Sequence, residues 1–305
     1  MSPTVVCVGH AALDHVYRID AFPVAPTKVR AQAFTIAGGG IAANAACAIA
    51  RLGGRALFCG PVGDDEFGRQ VSMGLVAAGV DARFCASVPG KRTSHSAVIV
   101  DAIGERLIVN DRGSALEAPG SLLPLDRLDA AAILVDPRWR HGATAILDWA
   151  RARNIPTVLD AEMGDHDTVM SLVPKAAHVV FSEPGFAQWA GRPIDAPGAV
   201  EQLRELVDGG ATLAAVTLGP RGGCYATRDG LRTFAAFPVA AVETLAAGDV
   251  FHGAYTLALA ERMPIESALR FAAVAAALKC ARSGGRAGMP TRVEVVSRLS
   301  SVEAP

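Results

Sequence analysis

Apolar and polar positions alternate along the chain in two ways. Short β-branched runs, such as Thr4 to Gly9, predict buried strands, and longer runs with one apolar face predict helices. This alternation predicts an α/β fold with a doubly wound, mostly parallel sheet flanked by helices on both faces. From residue 131 onward the predicted elements are strand 131–136, helix 141–152, strand 156–160, helix 166–173, strand 177–181, helix 185–190, helix 197–208, strand 212–217, hairpin 222–237, helix 249–261 and helix 265–282.

The amino-terminal half contains extended segments that are too brief and too polar for a sheet covered on both faces. Two of them flank a glycine turn and predict a β-hairpin. We therefore expect a single domain over residues 1–305, with a small β-sheet lid from 15–36 and 93–112 inserted in it. The extended segments are 15–22, 29–36, 93–100 and 105–110.

Composition and charge exclude several classes of function. The chain has 305 residues, of which 51% are hydrophobic and 19% charged, as in globular proteins. The chain has 29 basic and 30 acidic residues, so its formal net charge is −1. No general electrostatic field therefore attracts nucleic acid or a membrane, and we expect neither as a partner. The 6 cysteines form no CxxC pair, and no signal peptide or long apolar run is evident, so the expected location is cytoplasmic.

Small residues lead straight into a carboxylate at the start of a predicted helix, between Glu243 and Ala254. Ala246, Ala247 and Gly248 have little side-chain bulk, so their N–H groups can approach an anion, and the helix dipole adds about half a positive charge. Phosphoryl transfer fits this arrangement, with Asp249 accepting the proton of an attacking hydroxyl. An ordinary helix start with Asp249 as a cap fits the stretch equally well.

Further polar candidates lie near the ends of predicted strands, where ligands of parallel sheets gather. Asp14 follows the first strand and can accept hydrogen bonds from substrate hydroxyls or cap a loop. Gly39 and Gly40 precede a helix and can admit a ligand to the backbone while Asn44 contacts its hydroxyls, or they can serve a turn. The other strand-end residues are Asp136, Arg138, Asp160, Glu162, Ser182, Glu183, Thr217 and Gly219.

Two signatures, Gly38-Gly39-Gly40-x3-Asn44 and Ala247-Gly248-Asp249-x2-His252-Gly253-Ala254, resemble those of the PfkB (ribokinase-like) carbohydrate kinases. The resemblance runs from Val5 to about Leu299. It implies a sugar in the cleft under the lid, ATP and Mg²⁺ over the carboxyl-terminal half, and a homodimer formed through the lid. It also implies that Asp249 is the general base and that the anion loop, Ala246 to Gly248, forms the anion hole. The implied nucleotide-binding residues are Ser182, Thr217, Gly219, Gly222, Ala273 and Ala277.

Shorter matches, among them Gly104-Glu105-Arg106 and Arg138-Trp139, resemble the sulfofructose kinase branch of this family. That branch phosphorylates the 1-hydroxyl of 6-deoxy-6-sulfofructose, and the resemblance implies that Lys28, Asn110 and Arg138 bind the sulfonate. A planar guanidinium, an ammonium and a neutral donor suit a monoanion. The first functional interpretation is therefore an ATP-dependent kinase for this anionic ketose.

Two sites depart from the family pattern. The late signature, usually Asp-Thr-x-Gly-Ala-Gly-Asp in the family, reads Glu243-Thr244-Leu245-Ala246-Ala247-Gly248-Asp249 in this chain. The departures are Glu243, Leu245 and Ala246, at its first, third and fourth positions. The Asn-x-x-Glu pair that helps to place magnesium reads Ser182-Glu183-Pro184-Gly185, so that Glu183 is the candidate metal residue or the ion rests on phosphates and water. The alternatives are another PfkB kinase, for fructose 6-phosphate, 2-keto-3-deoxygluconate, ribose or fructose, and a degenerate homologue that binds sugar or nucleotide without turnover.

Overall fold

The computed structural model describes residues 2–303, in which the strands form two separate sheets. The strands are β1 (Thr4–Val8), β2 (Ala12–Arg18), β3 (Ala33–Gly39), β4 (Arg55–Gly63), β5 (Asp81–Val88), β6 (Ser94–Val100), β7 (Arg106–Asp111), β8 (Ala132–Val135), β9 (Thr157–Ala161), β10 (His178–Ser182), β11 (Leu213–Thr217), β12 (Gly223–Thr227) and β13 (Gly230–Phe234). The large sheet has the order β13-β12-β11-β10-β9-β8-β1-β4-β5. Its pairs from β11 to β5 are parallel, and β12 and β13 add an antiparallel edge. The carboxyl ends of the parallel strands therefore lie along one edge of the sheet.

Helices cover both faces of the large sheet. They are α1 (Ile41–Arg51), α2 (Glu66–Ala77), α3 (Arg140–Arg151), α4 (His166–Leu172), α5 (Glu183–Ala190), α6 (Glu201–Asp208), α7 (Ala247–Ala260), α8 (Ile265–Cys280) and α9 (Arg292–Glu303). Val5 and Cys7 of β1 belong to the core that includes α1, α7 and α8, whereas Val6 and Val8 belong to the core that includes α3 to α6. This alternation confirms the predicted α/β architecture with helices on both faces of the sheet. None of the described helices has the length and apolarity needed to cross a membrane.

The smaller sheet has the order β3-β2-β6-β7 and corresponds to the predicted lid layer. Two sequence predictions at its base were wrong. Asp14 lies within β2 rather than in a loop after β1, and residues 29–32 lie outside the strands. The polypeptide stays extended through Gly39 because this position admits close packing: a Cβ there would lie 2.3 Å from Oδ2 of Asp14. The lid strands therefore extend further toward the large sheet than predicted.

Helices α1 and α7 pack against each other at a glycine. A Cβ atom added at Gly253 would lie 2.6 Å from the backbone oxygen of Ala45, which is too close for an unstrained contact. Ala42 and Ala48, which lie about one turn before and after Ala45, are buried alanines, so this face of α1 carries little side-chain bulk. The two helix backbones can thus approach more closely than side chains would ordinarily allow.

We expect Gly253→Ala to destabilise the fold by about 1–3 kcal/mol, because the new methyl group must displace the α1 backbone. Urea unfolding measures the change. The matched control is Gly74→Ala in α2, where a Cβ would meet nothing within 4 Å. This control should raise stability by about 0.5–1 kcal/mol through helix propensity. Equal effects of the two substitutions would contradict the proposed close contact.

Candidate active site

The anion loop leads into α7 with an unusual backbone conformation. Ala246 is the residue that precedes α7, and its φ of 60° and ψ of 12° place it in the left-handed region. Among the described residues, no side chain caps the first turn of α7. A helix leaves the N–H groups of its first turn without partners inside the helix. The N–H of Ala247 donates to the oxygen of Thr244 at 3.2 Å, so those of Gly248 and Asp249 are the groups available to an anion. The geometry is that expected of an anion hole, a role that remains a prediction.

The carboxylate of Asp249 is held by α1. Oδ2 of Asp249 accepts a hydrogen bond of 2.7 Å from Nδ2 of Asn44. Oδ1 of Asn44 in turn accepts a 2.8 Å bond from Nε of Arg286, and the same guanidinium donates to the backbone oxygen of Gly39 at 2.9 Å. The amide of Asn44 therefore has one orientation only, with its donor directed at the carboxylate.

Arg286 is a site residue whose contacts were not predicted from the sequence. It connects the segment after α8 with α1 and with the lid strand β3, and its charge also acts on Asp14. A Cβ at Gly38 would lie 2.1 Å from the guanidinium, which explains why a glycine stands there. The glycine-rich run 284–288 around Arg286 was the available sequence signal.

The pKa of Asp249 is well suited to a general base. Burial, together with repulsion from Asp160, raises this pKa from 3.8 to about 7, although the hydrogen bond from Asn44 lowers it. A base with a pKa near the working pH combines a usable ionised fraction with a useful proton affinity. These contacts favour the interpretation of Asp249 as a base over that of a helix cap.

A second carboxylate beneath the site is paired with a histidine. Oδ2 of Asp160 lies 3.0 Å from Nδ1 of His252, which also lies 2.8 Å from the oxygen of Gly248; Nε2 of His252 lies 3.1 Å from the oxygen of Val180. Both ring nitrogens thus face oxygen atoms. Burial raises the pKa of Asp160 and lowers that of His252, whereas the backbone oxygens of Gly248 and Val180 favour ring N–H donors and raise the pKa of His252.

A third buried carboxylate organises the sheet edge. Asp136 accepts backbone hydrogen bonds from His10 at 2.7 Å, from Ala42 at 2.9 Å and from Arg138 at 2.8 Å. These bonds connect the segments that follow β1 and β8 with the start of α1. Gly9 is required beside it, because a Cβ there would lie 2.3 Å from Oδ2 of Asp136. Asp136 is therefore a structural residue.

The lid presents a polar row on one face. Asp14, Ser96 and Asn110 are direct neighbours across β2, β6 and β7. Nδ2 of Asn110 donates to Oγ of Ser96 at 3.1 Å, and Ser96 hydrogen-bonds to Asp14, whose pKa burial raises. Such a row offers donors and acceptors to sugar hydroxyls.

Arg138 and Lys28 are not joined to this row by the described contacts. Arg138 is half-buried and donates to the backbone oxygen of Met163 at 2.9 Å, while Asn110 bonds to Ser96 and to the oxygen of His95. Lys28 is exposed in the segment between β2 and β3. The structure therefore does not bring the three predicted sulfonate ligands together, and their joint role stays a prediction.

The predicted nucleotide residues lie at the carboxyl ends of adjacent strands and on α8. Ser182 and Thr217 are paired in register on β10 and β11. Gly222 has a φ of 80°, and a Cβ there would lie 2.1 Å from the oxygen of Phe234, so that only glycine fits. Gly219 begins the same turn with a φ of 55°. Ala273 and Ala277 are one helical turn apart on α8 and share a face.

Glu183, the candidate metal residue, forms an ion pair with Arg221, which also contacts Asp195 at 3.1 Å. The neighbouring Ser182 donates instead to Oε1 of Glu162 at 3.0 Å. Within residues 2–303 no group of three or more His, Cys, Asp or Glu side chains is arranged to hold a metal ion. A magnesium ion bound through phosphates and water is consistent with this geometry, because Mg²⁺ commonly needs only one or two protein carboxylates.

The family model of the pfkB carbohydrate kinases matches residues 2–292. The chain belongs to the PfkB family. It is 31% identical over 309 residues to a ribokinase of Bacillus subtilis (strain 168), covering 97% of this chain and 99% of the relative. Among solved structures, an Agrobacterium tumefaciens protein with a provisional ribokinase name aligns over 100% of both chains with a TM-score of 0.92 and 37% identity.

An Arabidopsis thaliana ribokinase complexed with ribose and ATP aligns with a TM-score of 0.85 and 24% identity, over 98% of this chain and 99% of that one. This likeness supports the fold. Together with the family match, the relatives show that this PfkB protein is a carbohydrate kinase, a phosphotransferase with an alcohol acceptor.

The kcat/KM of this PfkB kinase should rise about tenfold per pH unit below about pH 7 and level off above it, because the ionised form of Asp249 is needed. A coupled ADP-release assay measures the profile. Asp249→Asn should lower kcat by about 10²–10⁴-fold, since an amide cannot accept the proton. A flat pH profile or near wild-type turnover of the variant would remove Asp249 from the mechanism.

Although Asp249→Asn should lower kcat, it should raise the stability of the fold. The pKa of Asp249 is higher in the folded state than its ordinary value, so the proton favours folding, and this contribution is lost as the pH rises through about 7. Asp249→Asn should therefore raise the urea midpoint more at about pH 8 than at about pH 5. A gain that does not depend on pH would show that the carboxylate is not buried as described.

Ala246→Gly should stabilise the protein by up to about 1 kcal/mol, because glycine adopts the left-handed conformation without steric strain. It should also raise kcat if the methyl group displaces the anion loop. Ala247→Gly is the matched control, since Ala247 is already helical and gains nothing from glycine. A lower stability or kcat of Ala246→Gly would indicate that alanine belongs to the native loop geometry.

Proposed function

We propose that this kinase transfers the γ-phosphate of ATP to a primary hydroxyl of an anionic ketose, with 6-deoxy-6-sulfofructose as the favoured substrate. The observation that carries the phosphoryl-transfer chemistry is Asp249, a base with a pKa of about 7 that lies at the uncapped start of α7. The hydrogen bond from Asn44 to Oδ2 of Asp249 orients the carboxylate and leaves Oδ1 for the acceptor hydroxyl.

The residues present fit ATP. Gly219 and Gly222 provide a turn that admits phosphate oxygens, Ser182 and Thr217 supply hydroxyl groups beside it, and Ala273 and Ala277 offer an apolar wall for the base. When bound, ATP supplies the phosphoryl group, with Mg²⁺ carried on its phosphates and Glu183 at most an indirect participant, because Arg221 neutralises its carboxylate.

The residues of the chain would act in three ways. Asp14, Asn110 and the backbone at Gly39 and Gly40 bind the sugar hydroxyls. Asp249 takes the proton of the attacking hydroxyl as the new bond forms. The N–H groups of the anion loop stabilise the charge that develops on the transferred group.

An anionic substituent of the sugar is supported by the charges around His10. Nε2 of His10 is buried without a hydrogen-bond partner among the described residues. Burial, together with the positive charges of Arg138 and Arg112, lowers the pKa of His10 to about 3. A neutral imidazole N–H flanked by two guanidinium charges suits a sulfonate, which carries one charge over three oxygens. Fructose 6-phosphate and 2-keto-3-deoxygluconate carry anions that suit the same groups.

An uncharged sugar is the second candidate. Relatives are named ribokinase, fructokinase and deoxyribokinase, and the Asp14–Ser96–Asn110 row binds hydroxyls without requiring an anion. ADP release measured with ribose, fructose, fructose 6-phosphate, 2-keto-3-deoxygluconate and 6-deoxy-6-sulfofructose distinguishes these substrates. Turnover with none of them, together with intact nucleotide binding, would favour a degenerate homologue.

A cytoplasmic homodimer completes the proposal. On the lid face opposite Asp14, apolar side chains are exposed: Tyr17, Phe34, Ile36, Leu107 and Val109. Apolar faces of this kind commonly mark an interaction surface. A second copy of the lid would cover this face, and sedimentation measures the oligomeric state.

Arg138→Ala should lower kcat/KM for the anionic sugar, with a loss of transition-state stabilisation of about 2–4 kcal/mol, because the anion loses its guanidinium partner. The loss for fructose should be much smaller. Arg140→Ala is the matched control, since Arg140 is exposed at the start of α3 and should affect neither substrate. Equal losses on both sugars would make Arg138 a structural residue and remove the main support for an anionic substrate.

A further inference from the structure

Lys279 is a fully buried lysine in the last turn of α8. Its side chain has 0% exposure, which is rare for a lysine and requires partners for the ammonium group. Nζ donates to Oε1 of Glu243 at 3.0 Å and to the backbone oxygen of Arg282 at 3.3 Å. The ammonium therefore lies between the segment before α7 and the segment after α8.

Glu243 accepts hydrogen bonds from the segment after α8 as well. Its Oε1 accepts from the N–H of Gly285 at 3.0 Å, and its Oε2 accepts from that of Gly284 at 3.2 Å. The backbone N–H groups of Val242 and Glu243 both donate to the oxygen of Cys280, at 2.7 and 3.1 Å. Although burial raises the pKa of Glu243, the bonds from Gly285 and Lys279 hold it below its usual value, so that the carboxylate is ionised.

This ion pair joins the two segments that shape the active site. On one side, Glu243 precedes Ala246, the strained residue of the anion loop, by three positions. On the other side, Gly284 and Gly285 immediately precede Arg286, which orients Asn44 and through it the base Asp249. A displacement of the ion pair would therefore reach both the anion loop and the base.

Stability alone does not account for a buried ion pair. Removing two charges from water is costly, and well-packed apolar residues of the same volume often give an equal or higher stability. A role in positioning can account for the ion pair, because a misplacement of about 1 Å in a phosphoryl-transfer site can lower the rate by about 10²-fold. The hydrogen bonds of Lys279 and Glu243 are directional, and they define the separation of the two segments.

We propose that Lys279 is a positioning residue of this kinase, whose buried ammonium holds Glu243 and thereby sets the anion loop and Arg286 at their working separation. The proposal rests on the roles given above to the anion loop and Asp249. It assigns a function to Glu243, which otherwise appears only as a departure from the family pattern.

The first test is Lys279→Met, which preserves the volume of the side chain and removes its charge. With the sugar of highest turnover in the panel, kcat should fall by about 10²-fold, because the anion loop and Arg286 lose their fixed separation. Calorimetric titration with ATP should still give one site per chain, with a dissociation constant within about threefold of the wild type. The matched control is Lys175→Met, which removes a surface ion pair with Asp148 and should leave kcat unchanged. A kcat of Lys279→Met within about twofold of the wild type would overturn the proposal.

The second test is the double variant Lys279→Met/Glu243→Gln, which leaves no unpaired buried charge and remains informative if the single variant does not fold. Its urea midpoint should return close to the wild-type value. Its kcat should stay at least about tenfold low, because the ammonium is still missing. Recovery of kcat together with stability would show that Lys279 only neutralises Glu243, and the proposal would fail. Wild-type turnover is measured in the same series, so that a failure of the proposed function is recognised separately.

Discussion

The close contact between α1 and α7 is the constraint on which the active site depends. Gly253 lets the α7 backbone approach the oxygen of Ala45, and the adjacent Asn44 thereby comes within 2.7 Å of Asp249. A larger residue at 253 would separate the helices and weaken that hydrogen bond, which falls off steeply with distance. Helices α1 and α7, which carry Asn44 and Asp249, are thus coupled by packing rather than by a loop.

Three buried carboxylates along the same sheet edge have different roles because their donors differ. Asp136 is saturated by three backbone N–H groups, and Asp160 is paired with His252. Asp249 receives one side-chain bond, from Asn44; burial and repulsion from Asp160 outweigh this bond and raise the pKa of Asp249 to about 7. Asp249, whose pKa lies near neutral pH, is the carboxylate suited to exchange a proton, and repulsion from Asp160 and Asp136 contributes to that pKa.

The sequence predicted the alternation of strands and helices, because periodicity records which side of each element is buried. It also predicted the α7 start, since small residues before a carboxylate are a local feature. It did not predict the edge strand β5 or the terminal helix α9, which are partly exposed. The contacts of Arg286 were out of reach, because its partner Asn44 lies 242 positions away and the contact exists only in the folded chain. Asp14 was placed outside the strands because the predicted strands ended at Gly9 and began again at residue 15, whereas β2 already begins at Ala12.

Glu243 and Ala246, two of the three departures within the late signature, are connected by the structure. An alanine in the left-handed conformation is strained by about 1–2 kcal/mol and persists only where its surroundings hold it. Ala246 is held from both sides, by the α7 bond between its oxygen and the N–H of Val250 at 3.0 Å, and by the Glu243–Lys279 ion pair three residues earlier. A homologue that had lost phosphoryl transfer would gain stability by relaxing such strain and by replacing the buried ion pair. The coexistence of both features with Asp249 and its hydrogen bond from Asn44 therefore favours an active kinase.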